Sequence, residues 1–461
     1  MGKKGIHVLI GPLLFFIVYN VPIAGLSEEG QAVLASTLWI AYWWIAEALD
    51  LAITSLLPII IFPLSGALRI EDVTASYGHP FIYLFMGGFI LGLAIQKWNL
   101  HKRIAFSIIR LTGTSEKMVI LGFLLATAFL SMWLSNTATA IMLLPIGTSV
   151  IEHFKNRQPF SKNLMLSVAY GASIGGMSTL IGSPPNIILA GIVQSSLGIE
   201  ITFVGWMLFA FPLSCVLLFI TWLYLTHYKE DKLALNKLLV IEPLPPISEA
   251  EKRVLYVFLF VAFMWVTRSF IWVKFVPKLD DTIIAITGAL LLFLIPSGRS
   301  ARERLMNWEV AKSLPWGVLL IFGAGLAIAN GFSATDLTVW IGESLNGARI
   351  LPSFLFVLVV IASINFLTEI TSNTATASMM LPVLIALGTV LELDVIALLV
   401  GATLACSCAF MLPVATPPNA IVFSSGYLNL KDMMRTGFWL NIISIIVIYL
   451  FVSFAGSWLI V

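Results

Sequence analysis

Charge is what this chain has least of. Lys, Arg, Asp and Glu make up 11% of its 461 residues, against about a quarter in a soluble domain. With 59% hydrophobic residues and a mean hydropathy of +0.98, a soluble globular fold is excluded and an all-α polytopic membrane protein is indicated. The net charge of +2 is segregated by loop and forms no basic stripe, so no nucleic-acid partner is implied. Cysteine is nearly absent. Cys215, Cys406 and Cys408 lie in apolar runs, which excludes a disulfide framework, and Cys406 and Cys408 have no His or second Cys pair nearby to complete a metal site. The five histidines, His7, His79, His101, His153 and His227, are too scattered for a catalytic or metal cluster.

What is present is a repeat. Residues 135–145 read SNTATAIMLLP and residues 372–382 read SNTATASMMLP, identical at nine of eleven positions and 237 residues apart. Two further pairs keep the order: FILGLAI at 89–95 with FGAGLAI at 322–328, and GSPPN at 182–186 with ATPPN at 415–419. The chain is therefore built twice around a shared centre.

Apolar windows long enough for about 30 Å of hydrocarbon place crossings near 6–26, 31–49, 51–67, 80–97, 163–193, 203–226, 253–273, 282–297, 314–331, 395–424 and 436–460, eleven in all. The first follows Lys3 and Lys4 without a small-residue cleavage site, and reads as a transmembrane helix over 1–30, not a signal peptide. Residues 118–151 carry no charge for 34 residues, about 51 Å as one helix, too long for one span and too short for two. Cations flank this stretch on both sides, so it is expected to be a re-entrant hairpin with its tip at Ser135 to Thr137. Residues 350–391 form the second hairpin, entering from the opposite face. An N-terminus inside and a C-terminus outside puts 21 of the 26 Lys and Arg residues on the cytoplasmic side. The organisation expected is a first repeat over 31–228, a cytoplasmic linker over 229–252 and a second repeat over 253–461. Five crossings per repeat force the second copy upside down relative to the first.

Pro184-Pro185 and Pro417-Pro418 sit inside the spans 163–193 and 395–424 and must break them, because each proline removes a donor and disfavours helix before it. Ser183 and Thr416 are expected to cap the restarted helices, as are Ser135 and Ser372 at the hairpin tips. Four N-termini of about +0.5 charge each, with no Lys or Arg in the motifs, suit a small dianion. Asn136 and Asn373 each offer an oxygen to a cation and an NH₂ to a carboxylate. Any one of these motifs alone would serve equally as a helix cap or kink; four in inverted register point to a site.

Paired SNT tips, each followed by a proline-broken span, resemble the divalent anion/sodium symporter family over essentially the whole chain. The resemblance implies Na⁺-coupled transport of a small dianion, a C4 dicarboxylate such as succinate, malate or fumarate, or else citrate or sulfate. It implies one Na⁺ site at Ser131, Ser135, Asn136 and Gly182 and another at Thr368, Thr371, Asn373 and Ala415. Substrate would touch Ser135, Asn136, Thr137, Ser183 and Pro184 from one half and Ser372, Asn373, Thr374, Thr416 and Pro417 from the other. A lipid-embedded homodimer in the cell membrane, with hairpins and broken helices moving as an elevator, is implied as well. Ser183 stands where Thr is expected in several members.

Glu369, one helical turn before the second tip, either binds a proton or orients the tip, or else pairs with a backbone donor; the first repeat has Met132 there. Exchange of dicarboxylates or proton coupling on the same architecture remains open. An intramembrane hydrolase would need a base near Ser135 or Ser372, and neither His nor Lys is placed there.

Overall fold

The computed structural model describes residues 3–154, 157–228, 244–300, 302–344 and 352–455. Lys155, Arg349, most of the linker and the last residues of the span 436–460 lie outside them. Apart from one isolated bridge between Pro296 and Arg304, the regular structure of the described residues is helical. The chain opens with α1 (Lys3–Asn20) and α2 (Glu28–Ala46), which pack together. Ser27 caps α2 by accepting from Gly30 N, so this helix begins before residue 30.

The span expected over 51–67 is instead two short helices, α3 (Leu51–Thr54) and α4 (Leu57–Leu64). Pro58 in the first turn of α4 cannot donate backward, and the Ser55 carbonyl left at the joint accepts from Tyr77 Oη at 2.5 Å. Tyr77 ends α5 (Ile70–Tyr77), which leads into α6 (Pro80–Lys97). The amphipathic α7 (Leu100–Thr112) buries Leu100, Ala105 and Ile109, exposes Lys102 and Arg110, and pairs the half-buried Arg103 with Glu251.

Each segment expected to be a hairpin is two helices joined at its SNT tip. α8 (Glu116–Ser131) and α9 (Asn136–His153) form the first, and α19 (Ser353–Leu367) and α20 (Asn373–Val390) the second. Each double-proline span is broken, into α10 (Gln158–Gly176) and α11 (Pro184–Leu197) and into α21 (Val395–Cys406) and α22 (Pro417–Ser424). Between these lie α12 (Phe203–Leu225), α13 (Glu249–Thr267), α14 (Val273–Phe275), α15 (Asp281–Leu294), α16 (Trp308–Ala311), α17 (Trp316–Ala334) and α18 (Leu337–Ser344). The long α23 (Leu430–Ala455) closes the chain. Among the described residues, six helical stretches are long and apolar enough to cross a membrane by length and composition.

The first halves of the broken helices, α10 and α21, are deeply buried. All of α21 from Ile396 to Cys406 is buried, as is α10 from Leu164 to Gly176. Small residues permit this. A Cβ on Gly175 would lie 2.2 Å from Ala128 O and one on Gly171 2.8 Å from Leu124 O, so α8 and α10 approach backbone to backbone. Each hairpin's second arm packs across the halves, α9 against α22 and α20 against α11.

At the side of the first tip, Trp133, Phe203 and Trp265 stack with ring planes 12 to 25° apart. Beneath them the buried Arg268 pairs with Glu200 at 2.7 Å and Asp281 at 3.4 Å, while Asp281 also accepts from Phe203 N. Arg268 thus fastens α13 to the start of α12 and to α15, a packing role.

Candidate functional site

The first tip is set by Ser135, whose extended backbone ends α8 and whose hydroxyl accepts from Ala138 N at 3.2 Å. Asn136 therefore starts α9 and turns back toward the end of α8. One terminal atom of its carboxamide lies 2.5 Å from Ser131 Oγ, 3.1 Å from Ala172 O and 3.2 Å from Gly182 O. These three neighbours are oxygens, so NH₂ in that place donates to all of them, and a half-turn of the amide would present its oxygen instead. Ser131 Oγ also donates to Ala172 O at 2.8 Å. Gly182 is required here: a Cβ would stand 2.6 Å from Gly176 O and 2.9 Å from Ser131 O.

The second half repeats the arrangement. Thr368 Oγ1 lies 2.6 Å from Asn373 Oδ1 and 3.0 Å from Cys406 O. Thr371 is turned toward α20, bonded to Leu367 O and Thr376 Oγ1 at 2.9 and 2.6 Å. Ala415 is buried in the break, its N–H donating to Leu412 O at 3.2 Å.

Of the four expected caps, two hold and two do not. Thr416 caps α22 through Asn419 N at 3.3 Å, as Ser135 caps α9. Ser183 occupies the N-cap position of α11 without a cap bond, because its hydroxyl meets Ser407 Oγ of the other half at 3.3 Å. Ser372 precedes α20 in extended backbone, also without a side-chain cap bond. Further contacts join the two breaks: Cys408 Sγ lies 3.7 Å from Met177 Sδ, and Tyr170 Oη donates to Phe410 O at 3.1 Å. Among the tip and break residues expected to meet substrate, Thr137 and Pro184 are half-buried, Thr374 is buried and Pro417 is exposed.

Three residues beyond the expected set organise the breaks. Asn186 and Asn419 brace them through side-chain amides, and their place in the PPN triplets was the available signal. Glu369 is the third, its carboxylate accepting from Phe410 N, Met411 N, Leu412 N and Asn441 Nδ2 at 2.7 to 3.0 Å. Of the two roles weighed for it, partnering backbone donors is the one seen. A separate cavity of about 710 Å³ lies away from the tips, lined by Lys162, Tyr224, His227 and Asp432 among others.

Residues 3–461 match the family described as the sodium:sulfate symporter transmembrane region. The chain belongs to this family. Among proteins similar to this member is a sodium-dependent dicarboxylate transporter, SdcS, of Staphylococcus saprophyticus, 44% identical across 97% of this chain and 91% of the relative. The transporter of the same name from Staphylococcus aureus strain bovine RF122 is also 44% identical, across 97% and 90%. Solved structures share the fold at low identity. The YdaH transporter of Alcanivorax borkumensis aligns with a TM-score of 0.62 at 14% identity over 84% of this chain and 87% of that one. MtrF of Neisseria gonorrhoeae aligns at 0.57 and 12% over 97% and 93%. The family member described here is thus a multi-pass membrane protein of transporter fold.

Proposed function

We propose that this protein is a secondary active transporter that carries a C4 dicarboxylate such as succinate, malate or fumarate together with Na⁺. The observation that carries this reading is the near full-length, 44% identity to proteins named sodium-dependent dicarboxylate transporters, in a chain that keeps two cages of hydroxyl, carbonyl and Asn carboxamide groups.

In the first cage, Ser131 Oγ, the Asn136 carboxamide and the Gly182 carbonyl, with Ser135 at the tip, supply hard oxygens for one Na⁺. Unwound carbonyls at helix breaks are the usual membrane ligands for this ion. Thr368, Asn373 and Ala415 supply the second, with Thr371 after its hydroxyl leaves Thr376. Between the tips, the dianion meets the N-termini of α9, α11, α20 and α22. It is bound by Ser135, Asn136 and Thr137, by Ser372, Asn373 and Thr374, and by the residues before each proline, Ser183 with Pro184 and Thr416 with Pro417. Bound Na⁺ offsets the charge of the anion beside it, so each raises the affinity of the other. Eleven crossings and two re-entrant hairpins in inverted repeat, N-terminus inside and C-terminus outside, complete the reading. In a homodimer, the hairpins and broken helices would move together as an elevator.

Uptake of labelled succinate into proteoliposomes tests this. A Na⁺ gradient should drive accumulation and choline should not, with citrate and sulfate as competitors ranking the anions. Accumulation driven equally in choline by a proton gradient, or only by internal dicarboxylate, would replace symport with Na⁺ by the proton-coupled or exchange mechanism.

A further inference from the structure

The two halves hold their helix breaks by different chemistry. Met132 and Glu369 take corresponding places in the two hairpins, 237 residues apart, and Thr179 and Leu412 take corresponding places in the two breaks, 233 apart. In the first half the polar group comes from the break: Thr179 Oγ1 donates to Met132 O at 2.6 Å and accepts from Gly182 N at 3.1 Å. In the second half it comes from the hairpin. Leu412 has no hydroxyl, and Glu369 reaches across to take the Leu412, Met411 and Phe410 N–H groups.

We propose that Glu369 is a positioning residue that pins the second break into the shape of its cation site and lends that site a negative charge the first site lacks. The two Na⁺ sites are therefore unequal, the second being the tighter. This rests on the sodium-coupled reading above.

Several observations carry it. Glu369 is buried, and its four contacts are all with N–H donors, the pattern that stabilises a carboxylate away from water. The pin is passed on, because the carbonyl of Leu412 accepts from Ala415 N at 3.2 Å and from Asn419 Nδ2 at 3.0 Å. Ala415 and the start of α22 thereby follow Glu369. Thr368, the next residue toward the N-terminus, touches Asn373, so the carboxylate stands one residue from a member of the second cage. A unit charge within about 10 Å of a cation, at an effective dielectric constant of about 20, changes affinity roughly tenfold. The residues in the corresponding places at the first cage, Met132 and Thr179, are neutral.

The swap itself supplies the experiment. Equilibrium binding of labelled Na⁺ to the full-length protein in nanodiscs, without substrate, should show two classes of site in the wild type. Glu369→Met should weaken the tighter class about tenfold and lower the thermal unfolding midpoint. Glu369→Met combined with Leu412→Thr copies the first half's neutral pin into the second; it should recover the unfolding midpoint and leave the tighter class weak. Wild-type binding by Glu369→Met overturns the proposal, as does a double variant that recovers no stability or does not fold. Recovery of tight binding in the double variant overturns the role of charge. A wild type that binds no Na⁺ at all would instead overturn the sodium-coupled reading.

Discussion

Asn186 and Asn419 make the same pair of hydrogen bonds in the two halves. Asn186 Nδ2 donates to Gly176 O and Thr179 O at 3.0 and 2.7 Å, and Asn419 Nδ2 to Ala409 O and Leu412 O, both at 3.0 Å. Each amide spans its break from the restarted helix, satisfying carbonyls that have lost their helical partners. Asn186→Ala and Asn419→Ala should each cost about 1 to 3 kcal/mol, the penalty for a buried acceptor left unmade. Thermal unfolding of the purified variants in detergent checks this, and a drop confined to one of them would mean that the two breaks are not braced alike.

Substitutions at the tips separate cation from anion recognition. Thr137→Val and Thr374→Val each remove one hydroxyl, and a hydrogen bond to a charged group is worth about 1.5 to 3 kcal/mol. Substrate Kd should rise roughly tenfold to a hundredfold, with Na⁺ affinity in the absence of substrate little changed. Asn136→Asp and Asn373→Asp keep an oxygen for the cation and replace the NH₂ by negative charge, so they should abolish dicarboxylate transport. Wild-type transport by all four variants would reduce the tips to helix caps.

Gly182→Ala tests the closeness of the first cage. Its Cβ would meet two backbone oxygens, Gly176 O and Ser131 O, within 2.9 Å, and backbone cannot give way as a flexible side chain can. One class of Na⁺ site should be lost while the other persists. Ala415→Gly is the matched control, because the second break already accommodates a methyl group there and should bind Na⁺ nearly as before.

The hairpin assignment is open to labelling. Thr114 and Glu152 are exposed at the two ends of the α8–α9 hairpin, and Cys215 is the exposed native cysteine to be replaced by Ala. Cysteines introduced singly at Thr114 and Glu152 should both react with an impermeant maleimide from the cytoplasmic side alone. Reaction from opposite sides would make α8 and α9 a crossing and remove the inverted repeat.

The tips and breaks were legible because their causes are local: S-N-T in the middle of a long apolar run, and paired prolines inside a span. The short helices α3 and α4 were not, since Pro58 alone kinks a span as readily as it divides one; Tyr77, from a later helix, donates to the Ser55 carbonyl at the joint. α7 was missed because its charged face reads as a loop in a chain otherwise judged by apolar windows. Among the site residues, Ser135 and Thr416 cap as their positions imply. Ser183 has the same local signal and a different fate, because Ser407, more than two hundred residues away, competes for its hydroxyl. Glu369 was visible as an intramembrane carboxylate, but its partners lie in a break whose path no local pattern gives.

The stack of Trp133 on Phe203 and Trp265 gives the protein an optical handle on its own motion. Trp133 is two residues from Ser135, whereas Trp265 belongs to α13, and the indole planes of the two tryptophans lie 12° apart with centroids separated by 6.5 Å. Any step that carries the first tip away from α13 must uncouple those rings and rehydrate them. Tryptophan emission, read against a Trp133→Phe background, would then time that step in the unlabelled protein.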